Sequence, residues 1–455
     1  MRVMKFGGAA LRDGPAIERS MRLVERAAQV PGLLLVVSAQ EGVTAQLAHA
    51  VDEAARGDLE PWNLLRVRHR SVLTQLGLEG DLLDRHLFEL RAILEELRSR
   101  ASADRRMRDY VLSFGERMSA RVVSAVLRKL GCPSTPLDAY DLGMTTASRQ
   151  GEGALLRAPT ADLRAALRAV PGVPVVTGFL ALDPGGNLTT LGPNGSDLSA
   201  VWFGEAVGAS EVVLWKTVAG FMTADPDVVP EARRIPRLGR HEAVEFAVNG
   251  AEVLHAGALE PAERAGIVVR VANVNEPDAP GSLIEAESPR AGALGLAHRS
   301  ELALYRETLS LGRDQGAQLA ELFAALAEEA LDPCQGTFSG REAAVFVQDH
   351  ARVERFAARR ARARVERGLA SFAVVGREVS RDVELVRRVA ALGASAGVAV
   401  EPAPGGSHVS SAVFLVPAAR LSPVLRAVHA GLFGGVPELG DELLPHPRTG
   451  AVETR

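Results

Sequence analysis

Short aliphatic runs alternate with helix-like segments over the first part of the chain. Four of these runs have the pattern of strands: Val3–Phe6, Leu33–Val37, Val173–Thr177 and Glu211–Trp215. A run that is apolar at consecutive positions is typical of a strand buried on both faces, as in a parallel sheet covered by helices. Between about residues 45 and 130 the apolar spacing is helical instead. The pattern predicts an α/β domain over residues 1–286, in which helices sandwich a largely parallel sheet and residues 45–130 form a helical excursion.

The chain changes character after this domain. Pro, Gly, Ser and acidic residues are concentrated between Asn275 and Ser288, which marks a linker that we place at residues 287–300. Strand-like and helix-like segments then recur in the order of ferredoxin-like domains, which we expect at residues 301–366 and 367–440 before a tail at 441–455. The expected strands are 301–311, 342–348, 371–375, 398–401 and 411–416, and the expected helices are 315–330, 351–365, 381–396 and 422–431.

Composition and charge narrow the class of protein. The 455 residues carry 52 basic and 56 acidic side chains, a net charge of −4 that argues against a nucleic-acid-binding or membrane-surface protein. Two distant cysteines, Cys132 and Cys334, exclude a disulfide framework and fit a reducing compartment. The basic tract 359–367 is expected to be a solvated helix face. We expect an intracellular, cytoplasmic protein with no membrane span.

Lysine is rare in this chain, because almost all positive charge is arginine. The three lysines are Lys5, Lys129 and Lys216. Lysine presents a compact point charge, whereas arginine presents a planar fork. A lysine that persists in such a sequence therefore indicates a site that needs a point charge.

Two glycines follow Lys5 at the end of the first predicted strand. Gly7 and Gly8 allow a ligand to approach the backbone closely, and their N–H groups can cradle phosphate oxygens beside the lysine. The alternative is an ordinary strand-to-helix turn.

Three further segments carry candidate chemistry. The segment Thr189–Asp197 feeds a helix N-terminus, where Ser196 and Asp197 either form an anion site or cap the helix. The segment Leu214–Pro226 begins at the end of a strand, where ligands bind in open parallel sheets, although Asp225-Pro226 also fits a simple turn. The segment Ser113–Glu116 is expected to start a helix, with Glu116 either functional or a first-turn acid.

Taken together, these segments are similar to those of one family. The matching stretches are KFGG at Lys5, VSA at Val37 followed by Thr44, SFGE at Ser113, TTLGPNGSD at Thr189, WKTVAGFMTADP at Trp215 and NGAEVLH at Asn249. In order and spacing they resemble the aspartate kinases of the amino-acid kinase superfamily, which carry two ACT-type regulatory domains. The resemblance covers nearly the whole chain.

The resemblance implies ATP-dependent phosphorylation of the side-chain carboxylate of L-aspartate or a similar small amino acid. It assigns catalysis to Lys5, which would bridge the transferring phosphoryl group, and to Asp197, which would organise the lysine and the metal-bound phosphates. Substrate binding is implied for Ser38, Thr44, Glu116, Asn194, Gly195 and Ser196, with Glu116 pairing with the substrate ammonium. Nucleotide binding is implied for Gly7, Gly8, Trp215, Lys216, Thr217, Gly220, Met222, Asp225 and Glu252. Mg²⁺ would bind the ATP phosphates with no dedicated protein site, and the ACT domains imply a homodimer or larger homo-oligomer.

Several positions depart from the family pattern. Ala9-Ala10 replaces Thr-Ser, and Pro193 replaces an arginine expected to clamp a substrate carboxylate. Asp227 and Glu252 replace basic residues near the expected phosphates. Lys216 is a possible compensation, because it could reach the same phosphates or pair with Glu252; the alternative is a solvated lysine at a strand end.

Three functions therefore remain open at this point. The retained Lys5, Glu116 and Asp197 favour an aspartate kinase or an acyl-phosphate-forming kinase for another small carboxylate. The altered positions favour a weak or inactive kinase fold that serves as a regulatory or binding subunit. The segment Pro402–Ser411 keeps little of the family's effector-binding loop, so feedback by lysine or threonine is not expected.

Overall fold

The fold is described from a computed structural model covering residues 1–146, 159–251, 253–329, 331, 333–348, 351–403 and 410–434. The strands are β1 (Arg2–Phe6), β2 (Leu33–Val37), β3 (Ser134–Leu137), β4 (Val173–Thr177), β5 (Leu180–Leu182), β6 (Leu188–Thr190), β7 (Glu211–Lys216), β8 (Arg237–Gly239), β9 (Val268–Asn273), β10 (Ser282–Glu285), β11 (Gly292–Thr308), β12 (Pro333–Ser339), β13 (Glu342–Gln348), β14 (Ala363–Arg377), β15 (Glu401–Pro402) and β16 (Ser411–Pro417). The helices are α1 (Gly14–Ala27), α2 (Val43–Arg56), α3 (Glu60–Leu76), α4 (Asp84–Arg100), α5 (Arg105–Lys129), α6 (Ala161–Ala169), α7 (Gly195–Val207), α8 (Arg240–Val248), α9 (Leu259–Ala265), α10 (Gln315–Glu328), α11 (Ala351–Ala358), α12 (Val383–Ser395) and α13 (Leu421–Phe433). None of the helices in these ranges is long and apolar enough to cross a membrane.

The chain divides into two compact units. The first comprises Met1–Gly220 and Glu252–Ser288, and the second comprises Phe221–Ala251 and Pro289–Arg455. The segment between Gly220 and residue 252 therefore belongs to a different unit from the sequence on either side of it.

The first unit is built on a largely parallel sheet. Its strands lie in the order β3-β4-β2-β1-β7-β9-β10, and every neighbouring pair is parallel except β9 with β10. Strand β2 is buried at all five positions and β4 likewise, as their aliphatic runs predict. The predicted α/β class with a largely parallel sheet is confirmed.

Helices α2 to α5 fill the segment between β2 and β3. Helix α5 packs tightly on the loop after β2, because a Cβ on Gly115 would lie 2.8 Å from Cβ of Ala39. Its N-terminus is capped by Asp104, whose carboxylate accepts a hydrogen bond from the N–H of Met107. Ser113–Glu116 therefore lies inside a long helix, and the expectation that it starts one is wrong. Glu116 is not a first-turn acid.

Helix α7 is the most enclosed helix near the sheet. Of its 13 residues, only Glu205 is not buried. Gly204 permits close contact with β7, because a Cβ there would lie 2.6 Å from Cγ2 of Val212. Such burial fixes the position of the helix N-terminus at the sheet.

The second unit contains a six-stranded antiparallel sheet in the order β12-β13-β11-β14-β16-β15. The long strands β11 and β14 pair along most of their length, from Gly292 with Arg377 to Glu307 with Ala363. One continuous sheet therefore runs through both regions that we expected to be ferredoxin-like domains.

Some predicted boundaries differ in this unit. Strand β11 begins at Gly292, inside the predicted linker, and β12 was not predicted at all. Helix α11 ends at Ala358, and residues 363–366 are strand because they pair with Leu304–Glu307 of β11. Arg359, Arg360 and Arg364 of the basic tract each pair with a glutamate. Most of the segment Pro402–Ser411 and the tail at 441–455 lie outside the described residues.

The core of the second unit supplies a test of this packing. Phe372 of β14 and Phe414 of β16 lie opposite each other and stack, with ring centroids 5.2 Å apart. Replacing a buried phenylalanine by alanine costs about 3–5 kcal/mol. We expect Phe372→Ala to lower the stability of this unit by that amount in urea unfolding followed by circular dichroism. Val383→Ala, at a side chain that is 64% exposed, is the matched control and should leave the midpoint unchanged; equal midpoints for both variants would contradict the assigned core.

Candidate active site

The carboxyl ends of β1, β2 and β7 meet at one edge of the parallel sheet. Lys5 lies near the end of β1, the loop 38–42 follows β2, and Lys216 ends β7. Ligands of open parallel sheets bind at this edge. The residues gathered here form the candidate site.

Asp197 is the centre of the site. Its carboxylate accepts a hydrogen bond from Nζ of Lys5 at Oδ1 (2.7 Å) and from Nζ of Lys216 at Oδ2 (2.8 Å). The side chain of Asp197 is fully buried, and those of Lys5 and Lys216 are 4% and 13% exposed. Lys216 therefore points towards Lys5 and Asp197, and the alternative of a solvated strand-end lysine is wrong.

Burial and charge act in opposite directions on this trio. Burial raises the pKa of Asp197, and the nearby ammonium groups of Lys5 and Lys216 more than reverse this effect, so the carboxyl is ionised. Burial also lowers the pKa of Lys5, which the attraction of Asp197 only partly offsets. Two ammonium groups against one carboxylate leave a formal charge of about +1 in a nearly dry site. Such a site attracts an anion.

The loop before α7 brings Asp197 to this position. Asn194 has a left-handed backbone (φ 57°) and makes no side-chain cap bond, and Gly195 starts the helix. A Cβ on Gly195 would lie 2.6 Å from Cβ of Leu191, so the close turn requires glycine. Ser196 is buried against Gly178, where a Cβ would lie 2.6 Å from Cβ of Ser196. Asp197 thus bonds the lysines rather than capping the helix.

A buried aspartate of α5 anchors the strand that leads into this loop. The carboxylate of Asp109 accepts hydrogen bonds from the hydroxyls of Thr189 (3.2 Å) and Thr190 (3.0 Å). Sequence analysis did not single out Asp109. Its position six residues before Gly115 gave no signal of a partner 80 residues away.

The loop after β2 connects two of the predicted motifs. Ser38 N–H donates to the carbonyl of Phe6 (3.1 Å), and Glu41 N–H donates to the carbonyl of Gly8 (3.1 Å). Ala39 N–H donates to Oε1 of Glu116 (3.0 Å). Ser38 and Thr44 are half-buried at the start and end of this segment. The structure therefore brings the KFGG, VSA and SFGE stretches together.

Glu116 is buried and has an unusual pKa. Burial raises it to about 8, although the N–H of Ala39 and the charge of Lys5 favour the ionised form. Only one of its carboxyl oxygens has a partner: Oε2 is buried and unpartnered among the described residues. Glu116 therefore has a free acceptor inside the protein.

Other buried polar atoms of this region also lack partners in the described part of the chain. They are Nε2 and Oε1 of Gln40, Nε1 of Trp215 and Nδ1 of His255. An unpartnered buried polar atom costs about 1–3 kcal/mol, so several of them close together indicate that a polar ligand completes the site. Gln40 was missed by sequence analysis, since nothing in the sequence distinguishes a glutamine whose amide has no partner.

The glycines and the tryptophan of the site make close contacts with their neighbours. Gly7 N–H donates to the carbonyl of Trp215 (3.2 Å), and a Cβ on Gly7 would lie 3.6 Å from Nζ of Lys5. A Cβ on Gly8 would lie 3.0 Å from the carbonyl oxygen of Ala39, so glycine permits the close approach of the next loop. Trp215 stacks on Phe6, with ring centroids 6.2 Å apart.

The remaining nucleotide-binding candidates are Thr217, Gly220, Met222, Asp225 and Glu252. Thr217 is exposed, and Gly220 has a left-handed backbone (φ 119°) that packs against Ser282. Met222 and Asp225 belong to the second unit, where Oδ1 of Asp225 accepts a hydrogen bond from the N–H of Asp227 (2.9 Å) in a turn. Glu252 lies outside the described residues.

At the altered positions Ala9, Ala10 and Pro193 of the first unit, the side chains that are present offer no hydrogen-bond donor or acceptor in place of the family's residues. Ala9 and Ala10 lie in a short 3-10 helix, where the carbonyl of Ala10 accepts a hydrogen bond from the hydroxyl of Ser20. Pro193 is exposed and carries no donor. Within the described ranges, His, Cys, Asp and Glu side chains form no group of three or more that could hold a metal ion.

Known proteins share this architecture. The sequence model of the amino acid kinase family matches residues 1–273. Lysine-sensitive aspartokinase 3 of Escherichia coli is 30% identical, over 95% of this chain and 99% of that enzyme. Chloroplastic aspartokinase 2 of Arabidopsis thaliana is 34% identical, over 62% of this chain and 54% of the plant protein, so the chain spans about half the length of that relative.

Solved structures extend the comparison to the whole fold. The crystal structure of E. coli aspartokinase III with aspartate and ADP, in the R-state, matches with a TM-score of 0.80 and 27% identity. The match covers 95% of this chain and 100% of that one. The predicted resemblance is confirmed: the chain belongs to the amino acid kinase family and, within it, to the aspartokinases.

Proposed function

We propose that this protein transfers the γ-phosphoryl group of ATP to the side-chain carboxylate of L-aspartate, forming 4-phospho-aspartate and ADP. The observation that carries the proposal is the buried trio of Lys5, Asp197 and Lys216 beside the unpartnered oxygen of Glu116. The trio supplies positive charge for a phosphoryl group, and Glu116 supplies an acceptor for an amino acid. The complex of E. coli aspartokinase III with aspartate and ADP supports the same substrates.

In this phosphoryl transfer the protein mainly positions the reactants and neutralises charge. An oxygen of the aspartate side chain bonds to the γ-phosphorus while the bond to the β,γ-bridging oxygen breaks, and ADP leaves. Negative charge concentrates on the phosphoryl oxygens during this step. Ammonium groups held in advance in a dry site stabilise that charge without reorganising.

Lys5 and Lys216 would share this task. Asp197 holds both ammonium groups at fixed distances of 2.7 and 2.8 Å, which sets their spacing before ATP arrives. Lys216 would supply the cation that the family carries at the position of Glu252. Gly7 would leave room for the phosphates, because a larger side chain would begin 3.6 Å from Nζ of Lys5.

Glu116 would bind the ammonium group of aspartate through its unpartnered Oε2. Ser38, Thr44 and the loop of Asn194, Gly195 and Ser196 would complete the amino-acid pocket. Trp215, Thr217 and Gly220 would line the nucleotide side, and Met222, Asp225 and Glu252 are proposed for the same role on the resemblance alone.

Mg²⁺ fits this arrangement as a partner of ATP. The described residues offer no cluster of carboxylates for it, and Mg²⁺ binds phosphates readily while keeping several waters. When bound, it would neutralise phosphate charge alongside the two lysines.

A second candidate function rests on Pro193. This residue is exposed and cannot donate a hydrogen bond, so the arginine contact to a substrate carboxylate is missing. A kinase for another small carboxylate is therefore the alternative, and a regulatory subunit without activity is the third.

We also propose a homo-oligomer assembled through the second unit. Strand β12 is an edge strand of its sheet and carries Phe338, which is 45% exposed, and Leu311 of the same unit is 71% exposed. Unpaired edges and exposed apolar side chains are features of surfaces that associate.

The first test traps the acyl phosphate. Purified protein with ATP, Mg²⁺, hydroxylamine and aspartate should form aspartyl hydroxamate, and Lys5→Met should reduce the rate by about 10²–10³-fold, as loss of a donor to a developing charge does. Other small carboxylates form a parallel panel. Product from another acid alone would support the second candidate, and no product from folded protein would support the regulatory subunit.

The second test isolates Lys216. Lys216→Met should lower kcat/KM for ATP by about 10- to 100-fold, because one charge-assisted contact is lost. Lys129→Met is the matched control, since Lys129 is exposed and donates to the carbonyls of Leu76 and Gly77 at a helix end. Equal kinetics for the two variants would show that Lys216 has no part in phosphoryl transfer.

The third test uses pH. The pKa of Glu116 is about 8, so this carboxyl is protonated below that pH in the free protein and must lose its proton to bind an ammonium group. The apparent affinity for aspartate should therefore fall up to tenfold for each unit that the pH drops below about 8. Glu116→Gln should bind aspartate weakly at every pH and lose this dependence, while the affinity for ATP keeps its own profile. A wild-type affinity that stays constant between about pH 6 and 8 would contradict this role.

A further inference from the structure

In the loop after β2, Gln40 is the one buried side chain whose polar group has no hydrogen-bond partner among the described residues. It is 2% exposed, and neither Nε2 nor Oε1 has a hydrogen-bond partner. The large majority of buried side-chain polar groups in proteins are hydrogen-bonded. The position therefore needs an explanation that the protein alone does not supply.

Hydrogen bonds hold the backbone on both sides of Gln40. A local shift of the loop that would carry the side-chain amide out to water would therefore break them. Ala39 N–H is bonded to Glu116, and Glu41 N–H is bonded to Gly8. The carbonyl of Gln40 itself accepts from the N–H of Val43 (3.0 Å) at the start of α2. Gln40 is thereby held between the stretch that carries Lys5 and the helix that carries Glu116.

The chemistry of the amide suits one end of an α-amino acid. An amide carries a donor and an acceptor side by side, and an α-amino acid carries a carboxylate and an ammonium group on one carbon. Glu116 offers its free Oε2 to the ammonium in the same part of the site. Pro193 supplies no donor for the carboxylate, which leaves that group without the arginine of the family pattern.

We propose that Gln40 determines substrate specificity by binding the α-amino-acid end of the substrate. Its Nε2 donates to the α-carboxylate in place of the missing guanidinium, and its Oε1 accepts from the ammonium group beside Glu116. This inference rests on the proposed function, and it names the contact that replaces the lost arginine.

A neutral amide recognises differently from a guanidinium. An amide N–H donates to a neutral carbonyl oxygen as well as to a carboxylate oxygen. The enzyme should therefore accept the α-amide of aspartate as well as aspartate itself. A substrate without any group at the position of the α-carboxylate gains nothing from Nε2 of Gln40 and keeps only the contact of its ammonium group with Oε1. β-Alanine is such a substrate, because it is aspartate without the α-carboxylate.

The experiment compares aspartate with β-alanine in the wild type and in Gln40→Met, a substitution of similar size that removes both polar atoms. Loss of the Oε1 contact affects both substrates, whereas loss of the Nε2 contact affects aspartate alone. The ratio of kcat/KM for aspartate to that for β-alanine should fall by about tenfold or more. If β-alanine is not turned over, its competitive inhibition constant against aspartate replaces kcat/KM in the comparison.

Two controls separate this effect from damage to the fold. Gln46→Met changes an exposed glutamine of α2 that accepts a hydrogen bond from Arg68, and it should leave the ratio unchanged. Gln40→Glu keeps the size and polarity but repels a carboxylate, so it should impair aspartate more than β-alanine. Both variants of Gln40 should keep the thermal stabilisation by ATP and Mg²⁺.

The outcomes are distinct for the two proposals. A ratio that stays within about twofold in both Gln40 variants would overturn the role of Gln40 while leaving the kinase intact. If wild type makes no hydroxamate from aspartate, the proposed function fails. The role of Gln40 is then judged by whether Gln40→Met abolishes the thermal stabilisation by aspartate relative to that by β-alanine.

Discussion

The ion pairs of one buried carboxylate hold the candidate site together. Asp197 is fully buried in the first turn of α7, and a buried charge of this kind is tolerated only with close partners. The partners come from β1 and β7, which lie side by side with Lys5 opposite Leu214. Removing either lysine weakens the compensation of a charge that burial alone disfavours, and breaking a buried pair costs about 3–5 kcal/mol. The sheet order, the close packing of α7 and the glycines before it all serve this contact.

The same contact accounts for two of the three lysines of the chain. Lys5 and Lys216 reach opposite oxygens of one carboxylate, at 2.7 and 2.8 Å, and both are nearly buried. A guanidinium is planar and larger than an ammonium group, so two of them would fill more of the space beside one carboxylate. Two of the three lysines thus lie where two point charges share one partner.

The sequence reveals this site in part, and the limits follow from distance along the chain. The aliphatic runs of β2 and β4 and the motif of Lys5 are local signals, and the structure bears out the strands they predict. The bond between Lys5 and Asp197 joins residues 192 positions apart, so sequence spacing alone does not measure it. Gln40 and Asp109 were missed because the presence or absence of a partner is a property of the folded protein. The sequence predicts helix at residues 363–365, because a charged, alanine-rich stretch suits either structure, and pairing with β11 makes them strand.

The distribution of charge within the site explains how an amino acid could be oriented there. In the ionised form that binds an ammonium group, Glu116 gives the amino-acid side one negative charge, and Gln40 and Pro193 add none. The phosphate side carries the surplus positive charge of Lys5 and Lys216 over Asp197. Aspartate matches this division, since its ammonium group lies at one end and its side-chain carboxylate is the lone anion at the other. A substrate entering in the reverse direction would place its ammonium group near the lysines and its lone anion beside the carboxylate of Glu116. In a dry site that difference favours the orientation in which the side-chain carboxylate meets the phosphoryl group.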